Sequence, residues 1–167
     1  MRTWEHVHFC GGFFITPNWM GTAAHCVFNR YTIKIYIVAG SAIFDEGYAA
    51  KVGRFHLHPD FDFRTLEHDI ALMSTWYPIP ESDNIKRINL ATNYEIGSKA
   101  LVVGYGQTNA KDTTPPYLLQ YVRTKVIDNN SCQDRLLFGT VTNDSFCIVV
   151  PRPYGPCRGI FSLTQKI

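Results

Sequence analysis

The chain has 167 residues, 46% hydrophobic and 14% aromatic, enough for one domain or two small halves and too apolar for wholesale disorder. Sixteen Lys and Arg face fourteen Asp and Glu, for a formal net charge of +2, and no basic run forms a phosphate-binding stripe, so nucleic acid is not an expected partner. No apolar stretch approaches the ~18 residues of a membrane span, and "MRTWEHVHFCGG" holds neither an apolar core nor a small-residue cleavage site. No membrane partner and no signal peptide are therefore expected in the chain as given.

The pattern along the chain has period two rather than 3.6. "CGGFFITPNWMGTAAHC" comes first, and its Cys10-Gly-Gly suits a strand whose backbone must approach another closely. It ends in Thr22-Ala-Ala-His25-Cys26, where a histidine stands beside a cysteine that can tie back to Cys10. Such a staple would fix the imidazole on a short, small-residue turn, as a general base requires. "YTIKIYIVAG" alternates Ile33, Ile35 and Ile37 with Lys34 and Tyr36. "AKVGRFHLHP" and "DIALMST" are further short strands. Asp69 heads the second of these, with Ile70, Ala71 and Leu72 expected to bury its surroundings. A carboxylate entering a core needs a partner, and an imidazole N–H is a suitable one.

The polar stretch "NLATNYEIGSK" separates two strand groups of similar style, so two antiparallel β units are expected, residues 1–92 and 93–167. The second holds "KALVVGYG" and "LLQYVRTKVI". It also holds one helix, "DNNSCQDRLL", with Asn or Ser as cap and Asp134 in its early turns. The five cysteines, Cys10, Cys26, Cys132, Cys147 and Cys157, form local clusters that suit two staples and one orphan. "HVH" near Cys10 and "HLH" at residues 56–58 could each place two imidazoles on one strand face as metal ligands, but no third ligand has a natural spacing. No metal and no other cofactor are expected.

"FCGG", "TAAHC", "HDIAL" and the Gly-aromatic-Gly at 104–106, in that order, resemble the chymotrypsin/trypsin family of serine endopeptidases. The resemblance spans most of the chain. It implies an all-β fold of two antiparallel barrels with a cleft between them, a protein or peptide substrate or inhibitor as partner, and secretion into an oxidising setting. By the same resemblance His25 is the general base and Asp69 its buried orienting partner. Cys10–Cys26 and Cys132–Cys147 are the disulfides, and Gly104-Tyr105-Gly106 stands where Gly-Trp-Gly is usual.

Cys157-Arg158-Gly159 matches the start of the family's nucleophile motif, but Asp and Ser should follow, and Ile160 and Phe161 stand there. Phenylalanine has no proton to give up and no lone pair for attack on a carbonyl. Gly159 retains one oxyanion-hole N–H. Ser162, flanked by Phe161 and Leu163, lacks the glycines that expose a hydroxyl, and a one-residue slip moves a side chain by ångströms. Gly155 takes the place of the specificity-pocket base, which points away from a Lys or Arg preference. The family-like pattern stops at Gly159 and residues 160–167 diverge. The chain as given is thus expected to be a truncated or alternatively spliced serine-protease product without a nucleophile. Its first barrel would lack the N-terminal strand, its second barrel would be incomplete, and Cys157 would be unpaired. The alternative is a non-catalytic homologue that binds a protein partner.

Overall fold

A computed structural model describes residues 1–3, 5–106, 114–135, 141–142 and 145–150. The period-two segments become strands whose alternate side chains point inward. In β5 (Tyr48–Leu57), Ala50 and Val52 are buried while Lys51 is exposed. In β6 (Ala71–Thr75), Ala71, Met73 and Thr75 are buried and Leu72 faces out. A register shift between Val52 and Arg54 leaves Gly53 as the extra residue of a bulge.

These two strands are the centre of a six-stranded antiparallel sheet. It is completed by β1 (Arg2–Thr3), β2 (Phe13–Thr16), β3 (Trp19–Thr22) and β4 (Ile35–Ala39), in the order β1-β4-β5-β6-β3-β2. A further antiparallel bridge, Arg2 to His8, joins the β1 edge to the segment leading into β2. At the N-terminus, Arg2–Thr3 pairs with Ile35 and Tyr36.

The predicted strand over 31–40 forms only in its second half. Thr32–Lys34 is a 3₁₀ turn with Ile33 exposed, because Tyr31 and Ile33 have no facing surface to cover them. Met20, Val27, Ile37, Val52 and Met73 are the heart of one core that draws on residues 1–85.

The second sheet is smaller. β7 (Lys99–Gly104), β8 (Gln120–Ile127) and β9 (Cys147–Val149) pair antiparallel in that order. Two full barrels are therefore not formed. Three strands make a half-barrel, and among the described residues nothing closes it, since closure needs more strands at a consistent tilt and stagger. Its buried residues, Ala100, Val102, Thr124 and Val126, lie outside the main core.

The helix after β8 is α2 (Asn129–Gln133), and its cap differs from the one expected. Asp128, not Asn or Ser, accepts a hydrogen bond from the Ser131 N–H at 2.8 Å, and Asp134 sits at the C-terminal end.

Between the sheets the backbone of 42–44 meets that of 117–119. Phe44 N–H donates to Tyr117 O and Leu119 N–H to Ala42 O, both at 2.7 Å. The rings of His8, Phe44 and Tyr105 meet edge-on with centroids 5.3 to 5.9 Å apart. Burial raises the Tyr105 phenol above its ordinary pKa. The Gly-aromatic-Gly segment thus supplies a junction ring. No helix among the described residues is long and apolar enough to cross a membrane.

Candidate active site

The site begins with two close approaches at glycines, one to a backbone carbonyl and one to an aromatic ring. A Cβ on Gly12 would lie 2.6 Å from Gly21 O, and a Cβ on Gly21 would lie 2.5 Å from the Phe13 ring. These contacts seat β3 against the segment after Cys10. Thr22 Oγ1–H donates to Gly11 O at 2.9 Å and pins the end of β3. The chain then turns through the small Ala23 and Ala24 into α1 (Ala24–Val27), a single helical turn with Ala24 fully buried. The Cys10–Cys26 disulfide anchors it, with Cα atoms 6.2 Å apart.

His25 is carried on this turn just after β3, and Asp69 comes from just before β6, the strand paired with β3 so that Thr22 lies opposite Ala71. The loop that delivers Asp69 is held by Leu66 N–H to Asp62 O at 2.8 Å and Asp62 N–H to Glu67 O at 3.2 Å. Leu66 and His68 adopt positive φ, +58° and +53°, a conformation rare for such side chains and one that persists only where the surroundings enforce it. Ile70 N–H returns to His68 O at 2.7 Å, so Asp69 is the middle residue of a three-residue turn. Ile70 and Leu72 do not bury the carboxylate as expected. Both face outward, because Asp69 precedes β6 and the strand's inward positions are Ala71 and Met73.

The Asp69 carboxylate grips His25 twice. Oδ1 accepts the His25 backbone N–H at 2.8 Å, and Oδ2 pairs with Nδ1 at 2.6 Å. The first bond satisfies a donor that a helix N-terminus leaves without an intrahelical partner. The second sets the tautomer: a carboxylate oxygen accepts, so Nδ1 carries the proton and Nε2 is the basic nitrogen. Both side chains are about a quarter exposed, so the pair is shielded but reachable from solvent. Nε2 lies 3.5 Å from Cys26 Sγ. A base held this way can take a proton from a group presented at Nε2.

Sequence reasoning missed the ring cluster beside this pair. Phe28, which ends α1, stacks on Phe63 at 5.1 Å and meets Phe61 edge-on at 5.7 Å. Phe28 and Phe63 are both exposed. The alternating "FDF" was the available signal, and it reads equally as a surface strand. The histidine pairs weighed as metal ligands do not converge. His6 pairs with Asp45, which also binds Arg2, while His8 packs on Phe44 and Tyr105. His56 contacts Trp19, and His58 stacks on His68.

Cys132 and Cys147 are joined as a second disulfide, between α2 and β9. Gly155, Cys157, Gly159, Phe161 and Ser162 lie outside the described residues.

Comparison with known proteins gives a consistent result. Residues 1–159 match the family described as Trypsin. Trypsin theta of Drosophila melanogaster is 29% identical over 163 residues, which are 95% of this chain and 62% of that one. Trypsin of Phaedon cochleariae is 33% identical over 146 residues, 84% of this chain and 56% of that one. Among solved structures, the scabies mite inactivated protease paralogue S-D1 superposes with a TM-score of 0.71. It is 28% identical, and the match covers 77% of this chain and 56% of that one. Neuropsin, a serine protease expressed in the limbic system of mouse brain, is 21% identical with a TM-score of 0.84. Its match covers 98% of this chain and 75% of that one, and supports the fold alone. The chain spans less than two thirds of the length of the two trypsins.

Proposed function

The chain belongs to the trypsin-like serine protease family, and we propose that it holds that family's base and orienting acid without its nucleophile. His25 is the general base, Asp69 fixes its tautomer, and the chain as given does not hydrolyse peptide bonds. The observation that carries this reading is the doubly anchored His25–Asp69 pair, set against Ile160-Phe161 in the sequence after Cys157-Arg158-Gly159. A proton acceptor accelerates acyl transfer only when a hydroxyl or thiol is there to give up its proton. Phe161 offers neither, Ser162 lacks flanking glycines, and Gly159 alone supplies at most one donor of an oxyanion hole. With Gly155 at the pocket base, the pocket would prefer apolar or aromatic side chains over Lys or Arg. The protein acts in a secreted, oxidising setting, in keeping with its disulfides and its family.

A second reading draws on the exposed Phe28–Phe63 stack beside His25, and on the likeness to a structure named as an inactivated protease paralogue. In it the chain binds a peptide or protein and needs no nucleophile.

The test is turnover of a mixture of peptide and ester substrates by the purified chain and its His25→Ala variant. Equal rates for the two, both at the level of buffer, are expected. A rate above buffer that disappears with His25→Ala would overturn the inactive reading. Binding of an aromatic peptide that weakens with Phe63→Ala would favour the second.

A further inference from the structure

We propose that Asn129 is an acceptor for an N-linked glycan only while the Cys132–Cys147 loop is open, so that glycosylation and closure of that loop exclude each other. Asn129-Asn130-Ser131 is an Asn-x-Ser triplet, the pattern N-glycosylation requires, in a chain whose disulfides and family are consistent with secretion. The inference rests on that setting for its sugar donor and is independent of the chain's catalytic state. In the transfer, Asn129 Nδ2 forms a bond to the anomeric carbon of a lipid-linked pyrophosphoryl oligosaccharide. The bond from that carbon to the pyrophosphate breaks, the lipid pyrophosphate leaves with its electron pair, and Nδ2 gives one of its protons to a base of the transferase.

Three features of the fold oppose this step once the loop is closed. The first is the nitrogen itself. Asn129 Nδ2 donates to Thr142 O at 3.3 Å and to Ser145 O at 3.0 Å, so both of its protons are committed to backbone carbonyls across the loop. The second is room. Asn129 Oδ1 is buried, which seats the amide against protein. The third is helical geometry. At about 100° per residue, α2 sets Asn129 and Ser131 about 200° apart around its axis. Residues two apart do not face each other on a helix, whereas in an extended segment they do. A transferase that must engage the asparagine amide and the serine hydroxyl together therefore needs α2 unwound. The disulfide ties these features together. It joins α2 to β9, and Val141 N–H donates to Gln133 Oε1 at 2.8 Å at the same end of the helix. With Cys132 and Cys147 joined, the carbonyls that hold Asn129 stay opposite α2; with the bond open, no covalent link keeps them there.

The experiment is transfer in vitro by a purified oligosaccharyltransferase, with a lipid-linked oligosaccharide as donor, to the full chain carrying Asn143→Gln and Cys157→Ser. The first substitution removes the other Asn-x-Ser triplet, Asn143-Asp144-Ser145, and the second leaves only the four paired cysteines. Enzymatic release of the glycan in heavy-oxygen water marks each asparagine that carried one, and peptide mass mapping locates it. The oxidised chain should remain unmodified at Asn129. Adding Cys132→Ala/Cys147→Ala should speed transfer there by roughly 10-fold or more, the scale that loss of the two amide hydrogen bonds alone would give, and Ser131→Ala should abolish it. In the reverse direction, a reduced chain glycosylated at Asn129 and returned to oxidant should leave Cys132 and Cys147 open to alkylation, while the unglycosylated chain closes the bond. The proposal is overturned if the oxidised chain accepts glycan at Asn129 as fast as the opened one, or if the opened chain accepts none there. It is equally overturned if the glycosylated chain still forms Cys132–Cys147.

Discussion

Replacing both Cys10 and Cys26 by alanine should destabilise the first sheet far more than the second. The bond closes a loop with a sequence separation of 16, and releasing that loop in the unfolded chain costs about 3 kcal/mol in the chain-entropy treatment. Both sulfurs are buried in the main core, so their loss also leaves a cavity that adds to this figure. Cys132–Cys147 closes a loop with a separation of 15, so loop entropy alone would make the two replacements nearly equal. The difference lies in location, because that second bond joins half-buried residues outside the main core.

Urea unfolding followed by tryptophan fluorescence separates the two cases, since Trp4, Trp19 and Trp76 are the three tryptophans and all precede the second sheet. The Cys10→Ala/Cys26→Ala chain should lose at least about 3 kcal/mol in this transition, or roughly 12–24 °C in a thermal scan for a unit the size of residues 1–85. Cys132→Ala/Cys147→Ala should barely move it. An equal shift from both would mean that the sheets unfold as one cooperative unit, and the argument from location would fail.

Hydrogen exchange should find slower amides in β3, β5 and β6 than in β7 and β8, because the half-barrel's buried residues lie outside the main core; strong, uniform protection across 99–127 would contradict this. Asp69→Asn should move the imidazole proton of His25 from Nδ1 to Nε2, since the amide NH₂ can donate to Nδ1, and nitrogen NMR of the ring would register the exchange; unchanged ring shifts would show that Asp69 does not set the tautomer. Hydrogen bonding from Ser131, its side chain first and its backbone N–H second, holds the Asp128 pKa below its ordinary value. Its contribution to α2 is therefore present above the usual carboxylate range and lost as pH falls through the lowered pKa. The Ser131 amide resonance should shift over that window and stop responding in Asp128→Asn, whereas a midpoint at or above the ordinary carboxylate pKa would refute the cap.

What could be read in the sequence was mostly what period and motif control. The alternation in 48–57 and 71–75 specifies faces as well as strands, because one side of each must meet a core. It misled at Tyr31 and Ile33, where the residues alternate but no neighbouring strand covers them. "TAAHC" and "HDIAL" identified two partners 44 residues apart. They carried no sign that Asp69 also accepts the His25 backbone N–H, which depends on how the 58–70 loop folds back. The same loop hid the Phe28–Phe61–Phe63 cluster, a product of tertiary approach between a helix end and a loop. At α2 four polar residues, Asp128 to Ser131, compete as caps, and the one that wins is Asp128, whose backbone is extended just before the first turn.

The most direct test of the account is intact-mass analysis of the purified, oxidised chain after exposure to a serine-directed fluorophosphonate. The account predicts an unmodified mass, because His25 and Asp69 have no hydroxyl to activate at Phe161. A stoichiometric adduct mapped to Ser162, abolished by His25→Ala, would contradict it.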